Sequence, residues 1–179
     1  LRKRPSICAM SNEVLISVKR EFDRRIYEEG IARIIKTTGL LSDEELWYTP
    51  NDVSNSVGVL VLHLCGNVTQ WIGSGIGRDA DKRTRDLEFN PEMKPSHEEL
   101  IKNLKMLQPI TDRAFSTLVN DQDLLSPRSV QGFDESVMSI IIHVIEHFSY
   151  HVGQIATITK YLKGQDLGFY EDLDLNVKS

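Results

Sequence analysis

Apolar residues recur at helical spacing in four separate stretches of this chain, and no two-residue alternation competes with them. The first stretch carries Val14, Val18, Phe22, Ile26 and Ile34, with Ser11 as a cap and Gly39 as a stop, and predicts a helix from Ser11 to about Thr37. The second starts near Ser54 or Asn55 and runs to about Ser74. It aligns Val57, Leu60, Val61, Leu64, Val68, Trp71 and Ile72 on one stripe, and Gly73, Gly75 and Gly77 end it. Ser96 and Glu99 form a capping-box pattern opening a third helix through Leu100, Leu104, Leu107, Ile110 and Phe115 to about Val119, with Pro109 predicting a kink. Asp134 can cap the last helix, which continues through Val137, Ile140, Ile141, Val144, Phe148, Ile155 and Leu162 until Gly164 closes it.

Between these stretches, Ser42 and Glu45 form another capping box, opening a short turn before Pro50. The polar residues 78–94, punctuated by Pro91 and Pro95, predict a long surface loop of the kind that shapes sites. The pattern predicts an all-α fold, a four-helix bundle over residues 11–164, flanked by an N-terminal tail at 1–10 and a C-terminal tail at 165–179. Three basic residues in the first tail precede Met10, and the tail reads as a targeting remnant or, by preference, as a stretch upstream of a start at Met10.

Composition narrows the function classes. With 179 residues the chain suits one domain. The 21 Lys+Arg against 26 Asp+Glu leave a net charge of −5 and no basic stripe, which argues against nucleic acid. The longest apolar runs, 57–62 and 137–142, fall far short of the roughly 20 residues that cross a bilayer, so no membrane span is expected. Cys8 and Cys65 give no disulfide framework, and the expected location is the cytoplasm. The glycosylation sequon Asn67-Val68-Thr69 falls mid-helix and is read as accidental.

Three of the five histidines, His143, His147 and His151, stand four residues apart on the last predicted helix. At about 100° per residue, His147 and His151 fall within roughly 80° of the centre of the apolar stripe and so point inward. His63 and Asn67 flank the stripe of the second helix in the same way. Two histidines at i and i+4, with a third from a facing helix, can hold one metal ion and leave a position open for water or a thiol. An open site lowers the pKa of whatever occupies it and polarises a substrate. Each histidine alone has a plainer reading as a hydrogen-bonded core residue. His143 is read as structural, with a supporting donor or a fourth ligand as alternatives, and His97 as a solvated residue of a helix's first turn. Asn67 and Gln154 are candidates to support the ligands or face a substrate, against simple helix–helix pairing. Cys65 lies about 200° round the helix from His63 and cannot join the cluster. Glu146 is about 100° from His147 and belongs to packing or a surface pair, while Trp71, Phe148 and Tyr150 could line a pocket but are read as core. No general base stands out.

The segments His63-Leu64-Cys65-Gly66-Asn67-Val68-Thr69-Gln70-Trp71-Ile72 and Glu146-His147-Phe148-Ser149-Tyr150-His151-Val152-Gly153-Gln154-Ile155 resemble the DinB/YfiT-like superfamily, and within it the DUF1572 branch. The likeness runs from about Met10 to Tyr170, including Glu45-Leu46-Trp47, Ser54-Asn55-Ser56-Val57-Gly58 and Asp166-Leu167-Gly168-Phe169-Tyr170. It implies an up-down-down-up four-helix bundle, frequently a homodimer. It also implies a divalent metal, zinc or nickel with iron a further option, at His63, His147 and His151. Characterised relatives are metal-dependent transferases or isomerases using a low-molecular-weight thiol such as bacillithiol, mycothiol or glutathione. The expectation is therefore a metal-dependent thiol S-transferase acting on a small electrophile. The alternatives are a thiol-dependent isomerase, a non-enzymatic metal- or ligand-binding stress-response bundle, and a structural dimerisation bundle with packed histidines.

Overall fold

Four long helical runs surround one apolar core in the computed structural model, which describes residues 11–90 and 94–178; the expectations for 1–10, Cys8 and Met10 among them, and for Pro91 lie outside these. The first run joins Glu13–Asp23, a wider π-type segment Arg24–Ile31, and Ala32–Thr38. The second is Val57–Ile76, again turning π-type from Thr69 onward. The third is divided into His97–Lys105 and Leu107–Ser116, and the fourth is Val137–Lys163.

Local chemistry sets the ends. Ser56 accepts the Val59 amide and so starts the second helix slightly later than the apolar pattern suggests. That helix also continues past Gly73 and Gly75, because small residues let the third helix come close: a Cβ on Gly73 would lie 2.9 Å from the Ile110 side chain. Both capping boxes form, at Ser42/Glu45 and Ser96/Glu99. The first helix is entered from Asn12 without a side-chain cap, and Leu15 rather than Val14 turns inward. The third helix breaks at Met106 instead of kinking at Pro109, because a proline ring collides with the carbonyl four residues back, here that of Lys105. Gly164 closes the last helix in a left-handed conformation, φ 63°.

The all-α expectation needs one correction. Asp134 does not cap the last helix, a role taken by Ser136, but lies in a strand, Phe133–Ser136, paired antiparallel with Pro127–Val130. Gln131 (φ 53°) and Gly132 (φ 82°) make the two-residue connection, the left-handed pair that matches strand twist in a tight hairpin. The fold is thus mostly helical with a small two-stranded sheet. Val57–Ile76 is long and apolar enough to cross a bilayer by length and composition alone, but 67% of its most apolar 18-residue window is buried inside this fold, as a core helix requires. It is the central core helix.

Phe22, Ile26, Ile34, Leu60, Leu64, Ile72, Leu104, Ile140 and Phe148 anchor the core. The Phe22 and Phe115 rings, 5.1 Å apart, and the Tyr27 hydroxyl against Thr111 join the first helix to the third. Residues beyond Gly164 fold back, with Leu167 buried and Lys36 donating to the Gly168 carbonyl at 2.8 Å. Gly30 lies under the Phe148 ring, where a Cβ would meet ring carbons at 2.7 and 2.9 Å. Alanine normally improves a helix interior by roughly 0.5–1 kcal/mol over glycine. Here overpacking outweighs that gain: Gly30→Ala is expected to destabilise by about 1–3 kcal/mol, read as a lower urea midpoint at unchanged slope.

Candidate metal centre

His63 comes from the middle of Val57–Val68, and His147 and His151 from successive turns of Val137–Lys163. These two helices pack against each other, so the inward flank of one faces that of the other. One ligand-capable atom from each of the three rings lies within 4.8 Å of the other two. His63 Nε2 and His147 Nε2 are 3.0 Å apart, and the ring centres of His147 and His151 are separated by 4.5 Å. His63 and His151 are buried and His147 is half-buried.

Two of the rings are held from behind, His151 by Gln154 and His63 by Glu88. His151 Nδ1 is 2.7 Å from Gln154 Oε1, an amide oxygen that only accepts, so Nδ1 carries the hydrogen and Nε2 keeps its lone pair. His63 Nδ1 is 2.9 Å from Glu88 Oε2. Glu88 in turn receives Arg83 Nε at 2.6 Å and Arg83 Nη2 at 2.8 Å, a two-pronged ion pair whose side chains are 11% and 5% exposed. Burial works against ionisation of Glu88, but the hydrogen bonds from Arg83 and His63 prevail and hold its pKa below the usual carboxylate range.

Burial, followed by repulsion from His151, His63, His143 and Arg83, pushes the His147 pKa down to about 3. Burial also lowers that of His151, with the Gln154 hydrogen bond opposing the shift. Neutral rings at ordinary pH are the form that binds metal. A stability consequence follows for the metal-free protein. Between the unfolded value of 6.5 and about 3, the unfolded chain takes up the proton at His147 and the folded chain does not. The contribution is therefore complete above about pH 6.5 and is lost as pH falls toward 3. Urea midpoints measured from pH 7 to 4 should fall, and His147→Ala should flatten that fall.

The other residues singled out by sequence separate clearly. His143 stays out of the cluster, its ring stacked on Trp71 at 3.9 Å and 5.5 Å from that of His147. Trp71 is buried and donates to Gln131 Oε1 at 3.1 Å, so the hairpin turn closes this end of the site. Asn67 is buried one turn beyond His63, which removes the sequon's acceptor side chain from solvent, and its Oδ1 has no hydrogen-bond partner among the described residues. Gln154 also borders a cavity of about 610 Å³ with Pro50, Asn55, Leu60, Tyr150 and Thr157. Tyr150 is exposed rather than core, and Glu146 is exposed. His97 is half-buried, not solvated, because its Nε2 reaches Thr38 Oγ1 at 3.1 Å. Cys65 opens onto a separate cavity of about 830 Å³ behind Arg83 and Glu88, and burial raises its thiol pKa to about 12.

Arg83 and Glu88 were not foreseen as site residues; they lie in the polar stretch read only as a loop. The available signal was Gly66, an isolated glycine inside a strongly apolar helix, which marks a close approach by something else.

The donor set fits a divalent cation. Three imidazoles converge, the neutral forms of His147 and His151 are favoured, the Nδ1 atoms of His63 and His151 are engaged elsewhere, and an orphaned amide oxygen sits one turn along. Residues 10–171 match the family model described as protein of unknown function DUF1572. The chain belongs to that family. No curated protein matches it in sequence. The fold is similar to the crystal structure of a DinB-like protein from Bacillus cereus ATCC 10987, with a TM-score of 0.63 at 17% identity, over 84% of this chain and 93% of the other.

Proposed function

We propose that this DUF1572 protein is a metal-dependent enzyme in which His63, His147 and His151 hold a divalent cation, zinc or nickel by preference and iron as a further option. The reaction is transfer of a low-molecular-weight thiol, of the bacillithiol, mycothiol or glutathione type, to a small electrophile. The observation that carries the reading is the convergence of three histidines on one point beside a cavity that shares Gln154 with them. When bound, the cation supplies Lewis acidity, lowering the pKa of a coordinated thiol or water.

The chain's own side chains favour thiol transfer over hydrolysis. Glu88, the carboxylate beside the histidines, is committed to Arg83 and His63 and so is not free to take a proton from water. Cys65 is half-buried, and its thiol, with a pKa raised to about 12, stays protonated and is not a nucleophile. Gln154 orients His151 through its oxygen and carries an amide NH2 group at the edge of the 610 Å³ cavity. Among the described residues no Asp, Glu, Lys, Arg or His lines that cavity, which suits the uncharged body of an electrophile. The up-down-down-up helix order, the homodimer and the cytoplasmic setting belong to the same proposal.

The test pairs bacillithiol, mycothiol and glutathione with a generic aryl-halide electrophile, with and without added zinc or nickel. A metal-dependent rate above background supports transfer. Metal uptake with no such rate for any pair would favour a non-enzymatic metal-binding bundle.

A further inference from the structure

We infer that Glu88, locked in place by Arg83, is the positioning residue of the His63 ring: it decides which ring nitrogen carries the hydrogen, and hence which lone pair faces His147 and His151. The inference rests on the metal-centre reading but concerns groups outside the histidine cluster.

An ionised carboxylate can only accept, so a Glu88 oxygen 2.9 Å from His63 Nδ1 requires the hydrogen on Nδ1. Two lone pairs held at that distance would repel. Arg83 Nη2 also lies 3.2 Å from Nδ1 and has a second hydrogen besides the one it gives Glu88 Oε2, but accepting it would leave the Nδ1 lone pair against the carboxylate oxygen at 2.9 Å. In water an isolated imidazole side chain favours the other tautomer, with hydrogen on Nε2. Glu88 reverses that preference and presents the Nε2 lone pair to the point where the three rings meet.

The device is built in depth. The Arg83 fork fixes both Glu88 oxygens, and its remaining nitrogen donates to Gln70 Oε1 at 2.8 Å. Gln70 donates to Asp81 Oδ2 at 2.7 Å, and the other Asp81 oxygen accepts the Arg83 backbone amide at 3.0 Å, closing a circuit. The carboxylate lies against bare helix backbone at Gly66. A Cβ there would collide with Glu88 Oε1 and sit 2.8 Å from its Cδ and 2.9 Å from Arg83 Nε. His151 is oriented by the neutral amide of Gln154, whereas His63 is oriented by an anionic carboxylate.

The experiment records ¹⁵N chemical shifts of the His63 ring in the metal-free protein, and zinc affinity by competition with a chromophoric chelator. It compares wild type, Arg83→Met/Glu88→Leu and Gly66→Ala. The double variant replaces both charges with apolar groups, which leaves no charge buried alone and keeps the fold. Gly66→Ala displaces the carboxylate without altering any charged or ligating residue. Expected are an Nδ1–H tautomer in wild type, a shift toward Nε2–H in both variants, and zinc affinity lowered about 10–100-fold in each. A purely structural ion pair would leave the tautomer unmoved. Hydrogen on Nε2 in wild type, or a folded double variant with wild-type tautomer and zinc affinity, overturns the inference. If wild type binds no zinc, the metal-centre reading fails, while the tautomer comparison still decides the role of Glu88.

Discussion

A His147→Ala protein is expected to hold zinc or nickel at least about 100-fold more weakly than wild type, a larger loss than removing a group behind a ligand causes. The ring is one corner of a nearly even triangle, its centre 5.0 Å from that of His63 and 4.5 Å from that of His151, which are 5.1 Å apart, and its Nε2 lies 3.0 Å from that of His63. Without it, two nitrogens from different helices remain. The fold should survive, because His147 is half-buried and its apolar neighbours Val144 and Phe148 continue to pack the core. Chelator competition reads the affinity, and circular dichroism of the same samples checks that the helices persist. Affinity within a few fold of wild type would remove His147 from the ligand set.

The second large effect concerns the ion pair rather than the ligands. Arg83→Met alone should destabilise the metal-free protein by about 3 kcal/mol, because it leaves the Glu88 carboxylate, 11% exposed, without its cation. Adding Glu88→Leu should recover most of that loss, since removing both charges avoids the desolvation that an unpaired one suffers. Urea denaturation of the four proteins in the cycle measures the coupling directly. A single variant as stable as wild type would mean that the pair is solvated and contributes little, as surface pairs do.

Much of this architecture can be read from residue order because it depends on local rules. The helix stripes are periodic, the Ser/Glu boxes act over three residues, and Gly164 stops a helix by its own conformation. The histidines could be grouped for the same reason: helical spacing brings His147 and His151 onto one flank, and the apolar stripe beside His63 indicates where it faces. The hairpin was hidden because its eight paired residues include only two large apolar side chains, Val130 and Phe133, which face each other across the turn. Without alternation there is no strand signal. Its turn begins with Gln131, in place of the Asn or Asp that usually announces such a turn.

Glu88 and Arg83 were hidden for a different reason. They reach the site from a polar stretch with no periodicity, 25 and 20 positions from His63 respectively, and their placement depends on a tertiary contact against Gly66. Helix angles also misjudged exposure where neighbours decide it. Tyr150 adjoins a buried histidine yet remains exposed, and His97 is drawn inward by Thr38.

The central claim is that three histidines from two helices form a metal site, and its most direct test is elemental analysis of protein purified without a nickel column. The account predicts close to one zinc or nickel per chain, as isolated or after dialysis against the divalent ion. Protein that remains metal-free after that dialysis, with His63, His147 and His151 intact, would contradict it.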